Sequence, residues 1–220
     1  MARRTHAHRG PGAHDDHGPD RDHDHHGHDH DGHDHDGHDH EREHGHSEAD
    51  ELQRAAFARI RQYGDPVLRT PTIEVTRFDD GLREEARRMV EIMDAAGGVG
   101  LAAPQVGALS RMAVMRLGEG DDERVTVLCN PRIVWRSDEE EEAVEGCLSI
   151  GAASIAVTVP RALAVRVEAR DLTGAPLEIA PEGYDARVVQ HELDHLDGVL
   201  MIDRTTPEDR REALRALRRR

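Results

Sequence analysis

The chain has 220 residues, a net charge of −16 and no lysine, every basic residue being arginine. Residues 1–50 hold 14 acids against five arginines and residues 51–220 hold 31 against 24, so neither part has the basic excess that DNA binding ordinarily requires. No apolar run approaches the ~18 residues of a membrane-spanning helix, no signal-type apolar stretch follows the N-terminus, and two cysteines allow one disulfide at most. The expectation is a cytoplasmic protein with no membrane contact.

Fifteen of the 17 histidines fall within residues 1–46, where His-Asp and His-Asp-Gly units recur between Asp22 and His40. Such a segment has nothing apolar to bury, so residues 1–50 are expected to be a disordered tail and residues 51–220 one folded domain. Neutral imidazoles beside carboxylates chelate divalent zinc, nickel or copper, so the tail reads as a metal-buffering segment, against the plainer reading of a solvated tail without a role.

Within the domain, residues 51–62 read as a short helix running into the turn-rich segment 63–69. Residues 79–96 form a strongly amphipathic helix, with Leu82, Ala86, Met89, Val90 and Met93 at helical spacing and Gly97-Gly98 closing it. Runs 112–116 and 125–129 read as paired strands across an acidic turn, with further strands at 133–135, 164–169 and 176–179. The acidic run 138–142 reads as a solvated loop. Residues 184–197 and 207–218 read as helices. Helix, several strands, then helix argues α+β, with mainly antiparallel sheets packed around a central helix and a helix at the C-terminus.

The sharpest chemical signal is His191-Glu192-Leu193-Asp194-His195 in the first of those two helices. Histidines at i and i+4 share one helical face and can grip one divalent ion, and Glu192 beside them can reach a metal-bound water. These are the only histidines outside the tail. A tetrahedral catalytic site needs a third protein ligand, and the candidates are the downstream acids Asp197, Asp203, Glu208 and Asp209 or the upstream thiol Cys147, in a glycine-flanked segment of exposed type. Cys129 lies inside an apolar run and reads as a small core residue. Segment 98–105, Gly-Val-Gly-Leu-Ala-Ala-Pro-Gln, lets backbone approach closely, lacks the marks of a nucleotide loop, and carries one polar group, the Gln105 amide.

Segments 98–105, 145–149 (Glu-Gly-Cys-Leu-Ser) and 190–195 (Gln-His-Glu-Leu-Asp-His) together resemble, in order, the three signature segments of peptide deformylases. The likeness extends over about residues 60–216. It implies hydrolysis of the N-formyl group from the formyl-methionine of nascent peptides, with release of formate. It implies Cys147, His191 and His195 as ligands of one divalent metal, expected to be Fe2+, with Zn2+, Ni2+ or Co2+ able to take its place. It also implies Glu192 as general acid/base, Gln105 and the Leu148 backbone N–H as oxyanion donors, and Gly100 as a backbone contact to substrate.

After Ile150 the chain departs from the family: Gly151 replaces the usual proline, and no arginine comes before Arg161. This keeps open a shifted N-acyl-peptide substrate, beside the reading of a metal-buffering protein that uses its tail. Arg161 is a candidate partner of Glu145 behind the metal loop. The arginine-rich end of the last helix, 215–220, is a candidate contact to ribosomal RNA, and the protein is expected to be a monomer.

Overall fold

The computed structural model describes residues 47–151 and 154–219. The expected disordered tail lies outside the described residues, apart from its last four. Helix α1 spans Glu48–Ala58, starting earlier than periodicity suggests because Ser47 and Asp50 form a reciprocal capping box with both bonds at 3.2 Å. Helix α2, Asp80–Ala95, is capped by Asp79 and buries Leu82, Ala86, Met89, Ile92 and Met93.

Seven strands follow: β1 Gly100–Ala102, β2 Met112–Leu117, β3 Arg124–Arg136, β4 Glu140–Gly146, β5 Ala156–Ala162, β6 Val165–Arg170 and β7 Pro176–Ile179. Five of them form one antiparallel sheet in the order β1-β2-β3-β6-β7, and β4 and β5 pair as a separate two-stranded sheet. Helices α3, Gly183–Leu196, and α4, Pro207–Arg218, complete the domain. The architecture is α+β with antiparallel sheets.

The core follows from the alternation of side chains along β2. Met112 and Val114 pack with the buried face of α2, whereas Ala113 and Met115 pack with Val188, Val189, Leu193 and Leu196 of α3. Strand β2 is therefore buried on both faces, between α2 and α3. A third cluster joins Cys147, Ile150, Val157 and Val159 to Leu200, Met201, Ile202 and Ala213, and seats the β4–β5 hairpin on α4 and the chain before it.

Two expectations need correction. The runs 125–129 and 133–135 are one strand, β3, kept continuous through register shifts between Cys129 and Arg132 and between Ile133 and Trp135. Asn130 takes φ 52° there, a left-handed conformation that asparagine tolerates, and its side chain exchanges two hydrogen bonds with the Val75 backbone. The acidic run 138–142 is not a loop throughout. Glu140–Glu142 open β4, where pairing with β5 satisfies the backbone and the carboxylates point to solvent.

Candidate metal centre

Helix α3 is buried along its last 11 residues, Ala186 to Leu196, so its polar side chains face protein rather than water. Such groups need partners or a ligand. His191 and His195 lie one turn apart with ring centroids 5.0 Å from each other. The end of β4 brings Cys147 to them: its Sγ is 3.3 Å from His195 Nε2, and the three ligand atoms all lie within 4.8 Å of one another. Cys147 is 1% exposed, which corrects the expectation of an exposed segment, because Ile150 and Val157 pack around it in the third cluster. Both cysteines are free thiols.

The His191 imidazole is oriented by a carboxylate. His191 Nδ1 lies 3.0 Å from Glu145 Oε2, which makes Nδ1 the protonated nitrogen and turns Nε2 toward Cys147 and His195. Burial lowers the pKa of both rings, and His191 lowers that of His195 further, so both stay neutral and able to donate a lone pair. Without a metal, burial pushes the Cys147 thiol up to about 11. Glu192 is likewise pushed up to about 8 by burial, and its Oε2 has no hydrogen-bond partner among the described residues. A soft thiolate, two neutral imidazoles and an orphaned carboxylate oxygen beside them fit a divalent ion with a water at its open position.

The glycine-rich segment forms the opposite wall. Gln105 Oε1 accepts the Ala102 N–H at 2.8 Å, which turns its NH2 toward Cys147 Sγ at 3.7 Å and Ser149 Oγ at 3.2 Å. The Leu148 carbonyl accepts from Gln62 Nε2, fixing the peptide chain just after the cysteine. A Cβ at Gly98 would come 2.8 Å from Leu148 Cδ1, and one at Gly100 would fall on the Glu192 carboxylate. Glycine at both lets the Leu148 and Glu192 side chains close on backbone, and a side chain at either position would have to displace them. Thus Gly100, Gln105, Cys147, Leu148, His191, Glu192 and His195, chosen from three distant segments, meet at one place.

Behind the metal ligands lies an ionic cluster only partly visible in the sequence. Arg161 grips Glu145 with both Nε and Nη2, at 2.9 and 3.0 Å, and reaches Asp194 through Nη1 at 2.5 Å. Arg204 adds two bonds to Asp194, and Arg187 adds one to Glu145. Burial pushes the Glu145 carboxyl up, but His191 and Arg161 outweigh it and hold Glu145 below the ordinary carboxylate range. Sequence reasoning paired Arg161 with Glu145 and missed Arg187, Asp194 and Arg204. One signal could have found Arg187: it stands four residues before His191, a charged residue on the inward face of an apolar helix. Gly151 takes φ +58°, a conformation closed to proline, so the chain leaves the cysteine segment by a path that the usual family residue could not follow.

This fold, and a thiolate–imidazole site with a carboxylate and a carboxamide facing it, define a metal-dependent hydrolase. Residues 57–211 match the model of the polypeptide deformylase family, to which the chain belongs. The peptide deformylase of Thermotoga sp. strain RQ2 is 47% identical over 152 residues, 69% of this chain and 89% of that protein. That of Acidothermus cellulolyticus is 45% identical over 161 residues, 72% and 84% of the two chains. The crystal structure of peptide deformylase from Thermotoga maritima superposes with a TM-score of 0.63 at 46% identity, covering 68% of this chain and 97% of the other. That from Synechococcus elongatus in complex with actinonin gives 0.66 at 40% identity, covering 72% and 84%.

Proposed function

We propose that residues 51–220 are the catalytic domain of a peptide deformylase, which removes the formyl group from the N-terminal formyl-methionine of newly made polypeptides. The observation that carries the assignment of roles is the buried meeting of Cys147, His191 and His195 beside the orphaned Glu192 carboxylate. In this reading those three residues hold one divalent ion, in the cell Fe2+, with Zn2+, Ni2+ and Co2+ as substitutes. When bound, the ion supplies Lewis acidity, acidifying water and polarising the formyl carbonyl.

The chain does the rest. Glu192 takes the proton from the attacking water and hands it to the nitrogen of the leaving amine, a transfer to which its raised pKa is suited. The Gln105 amide and the Leu148 N–H donate to the formyl oxygen as it gains negative charge. Gly100, whose missing side chain opens the wall over Glu192, lets substrate backbone lie against β1. Glu145 keeps His191 neutral and aimed.

The enzyme works in the cytoplasm as a monomer. No helix among the described residues is long and apolar enough to cross a membrane. Arg215, Arg218 and Arg219, exposed at the end of α4, suit contact with ribosomal RNA. Residues 1–46 serve as a metal-chelating appendage to the catalytic domain, a reading supported by the repeated His-Asp units.

Formate release from formyl-Met peptides, by protein prepared without oxygen and loaded with iron or nickel, tests the assignment. Turnover is expected with and without residues 1–46, while the tail-less protein binds fewer zinc ions per chain. Absence of formate from a metal-loaded sample would sink the deformylase reading, and turnover of only larger N-acyl peptides would move it to the substrate shift that Gly151 suggests.

A further inference from the structure

The metal ligands ride on two separate pieces of structure. His191 and His195 belong to α3, which packs against the large sheet through Val188, Val189, Leu193 and Leu196. Cys147 follows β4, whose only strand partner among the described residues is β5, and within those residues this hairpin has no strand pairing to the large sheet. A ligand set divided in this way holds its geometry only if something fixes the hairpin to the helix.

Arg187 lies on the same helical stripe as the histidines, at i−4 from His191 and i−8 from His195. Its guanidinium donates to three acceptors on the hairpin: the Glu141 carbonyl of β4 at 2.6 Å, the Val159 carbonyl of β5 at 2.8 Å and Glu145 Oε1 at 2.9 Å. The residue is 7% exposed, so these bonds form largely without competition from water. The planar fork of arginine can serve three acceptors in fixed directions, which a lysine ammonium or a neutral side chain cannot do. The Glu145 carboxylate it touches is the one that orients His191.

We infer that Arg187 is a positioning residue of the metal centre: it clamps the strand pair carrying Cys147 to the helix carrying His191 and His195, and so sets the distance between the thiolate and the two imidazoles. Neither Arg161 nor Gln190 replaces it. Arg161 joins side chains only, and the Gln190 amide reaches the single β5 carbonyl of Ala162.

The inference rests on the metal reading of the three ligands, and cobalt tests the two separately. The full-length chain, its Arg187→Met variant and its Arg187→Lys variant are stripped and reloaded with Co2+, with a tail-less version of each to exclude binding by residues 1–46. Wild type is expected to show a near-ultraviolet thiolate-to-cobalt band and slow loss of metal to a chelator. Arg187→Met, folded by circular dichroism, should show a weaker or shifted band and lose cobalt about 10–100-fold faster, with Arg187→Lys between the two. A wild type without the thiolate band would overturn the metal reading itself. Wild-type behaviour of a folded Arg187→Met, or of Arg187→Lys where Arg187→Met does not fold, would overturn the role of Arg187 alone.

Discussion

The Cβ that Gly100 lacks would lie on the Glu192 carboxylate, overlapping Oε1 and approaching Cδ and Cγ to 2.8 and 2.9 Å. The two residues stand on different elements, β1 and α3, and each limits the other. The glycine leaves room for the carboxylate, and any side chain at position 100 would have to displace it. Because the colliding group is the far end of a flexible side chain, Gly100→Ala should fold and displace Glu192. A displacement of about 1 Å can cost ~100-fold in rate, so formate release should fall by about that factor while metal content per chain stays at the wild-type value.

Glu192→Ala should retain the metal and lose nearly all turnover, because general acid–base transfer contributes about 10²–10⁴-fold. Metal analysis beside the rate separates this from loss of the ion, and wild-type turnover would remove Glu192 from the mechanism.

The raised pKa of Glu192 also has a stability consequence in metal-free protein. Between its ordinary value of 4.5 and about 8, the folded state keeps a proton that the unfolded chain has released, so its contribution to stability falls as pH rises through that window. Glu192→Gln carries no charge to bury. Metal-free Glu192→Gln should melt at a higher temperature than metal-free wild type above pH 8 and at nearly the same temperature near pH 4.5. Equal melting at both pH values would show that the carboxylate is not held up by burial.

Gln105→Leu removes the amide that faces Cys147 and Ser149. Loss of one oxyanion donor typically costs about 10²–10³ in kcat, with KM changing far less. The Ala102 N–H loses its acceptor at the same time, so a loss of about 1–3 kcal/mol in stability should accompany it. Steady-state kinetics with a formyl-Met peptide, and a denaturant melt, check the two effects.

Glu145→Gln keeps the shape of the side chain and leaves two buried arginines without their shared negative charge. Breaking a buried pair costs about 3–5 kcal/mol, so a large drop in melting temperature is expected. Metal affinity should fall about 10–100-fold as His191 exchanges its orienting carboxylate for a neutral amide. Unchanged melting and metal affinity would show that Glu145 neither supports the cluster nor aims the imidazole.

Much of the domain was legible where a pattern repeats over a few turns. The apolar period of α2, the limits of α4 at Pro207 and Arg218 and the strand at 176–179 follow from local spacing. β1, β4 and β5 were not legible. β1 has three residues and no alternation, being buried throughout, and β4 opens with three exposed glutamates. Their strand character comes from a partner across the sheet, which no window along the chain contains.

The site divides in the same way. By itself the sequence determined that His191 and His195 share a helical face with Glu192 beside them, because a helix repeats every 3.6 residues wherever it is placed. It also restricted the third ligand to a short set of candidates, and likeness of three segments to a family chose Cys147 among them. Only the tertiary structure decided that Cys147, 48 residues before His195, comes within 3.3 Å of it. The same packing fixed the inward turn of the Gln105 amide, the closing of Gly100 on Glu192, and the assembly of Arg161, Arg187 and Asp194 around the ligands. These depend on how sheets and helices stack, and the burial that results is what moves the proton affinities of Glu192 and Cys147.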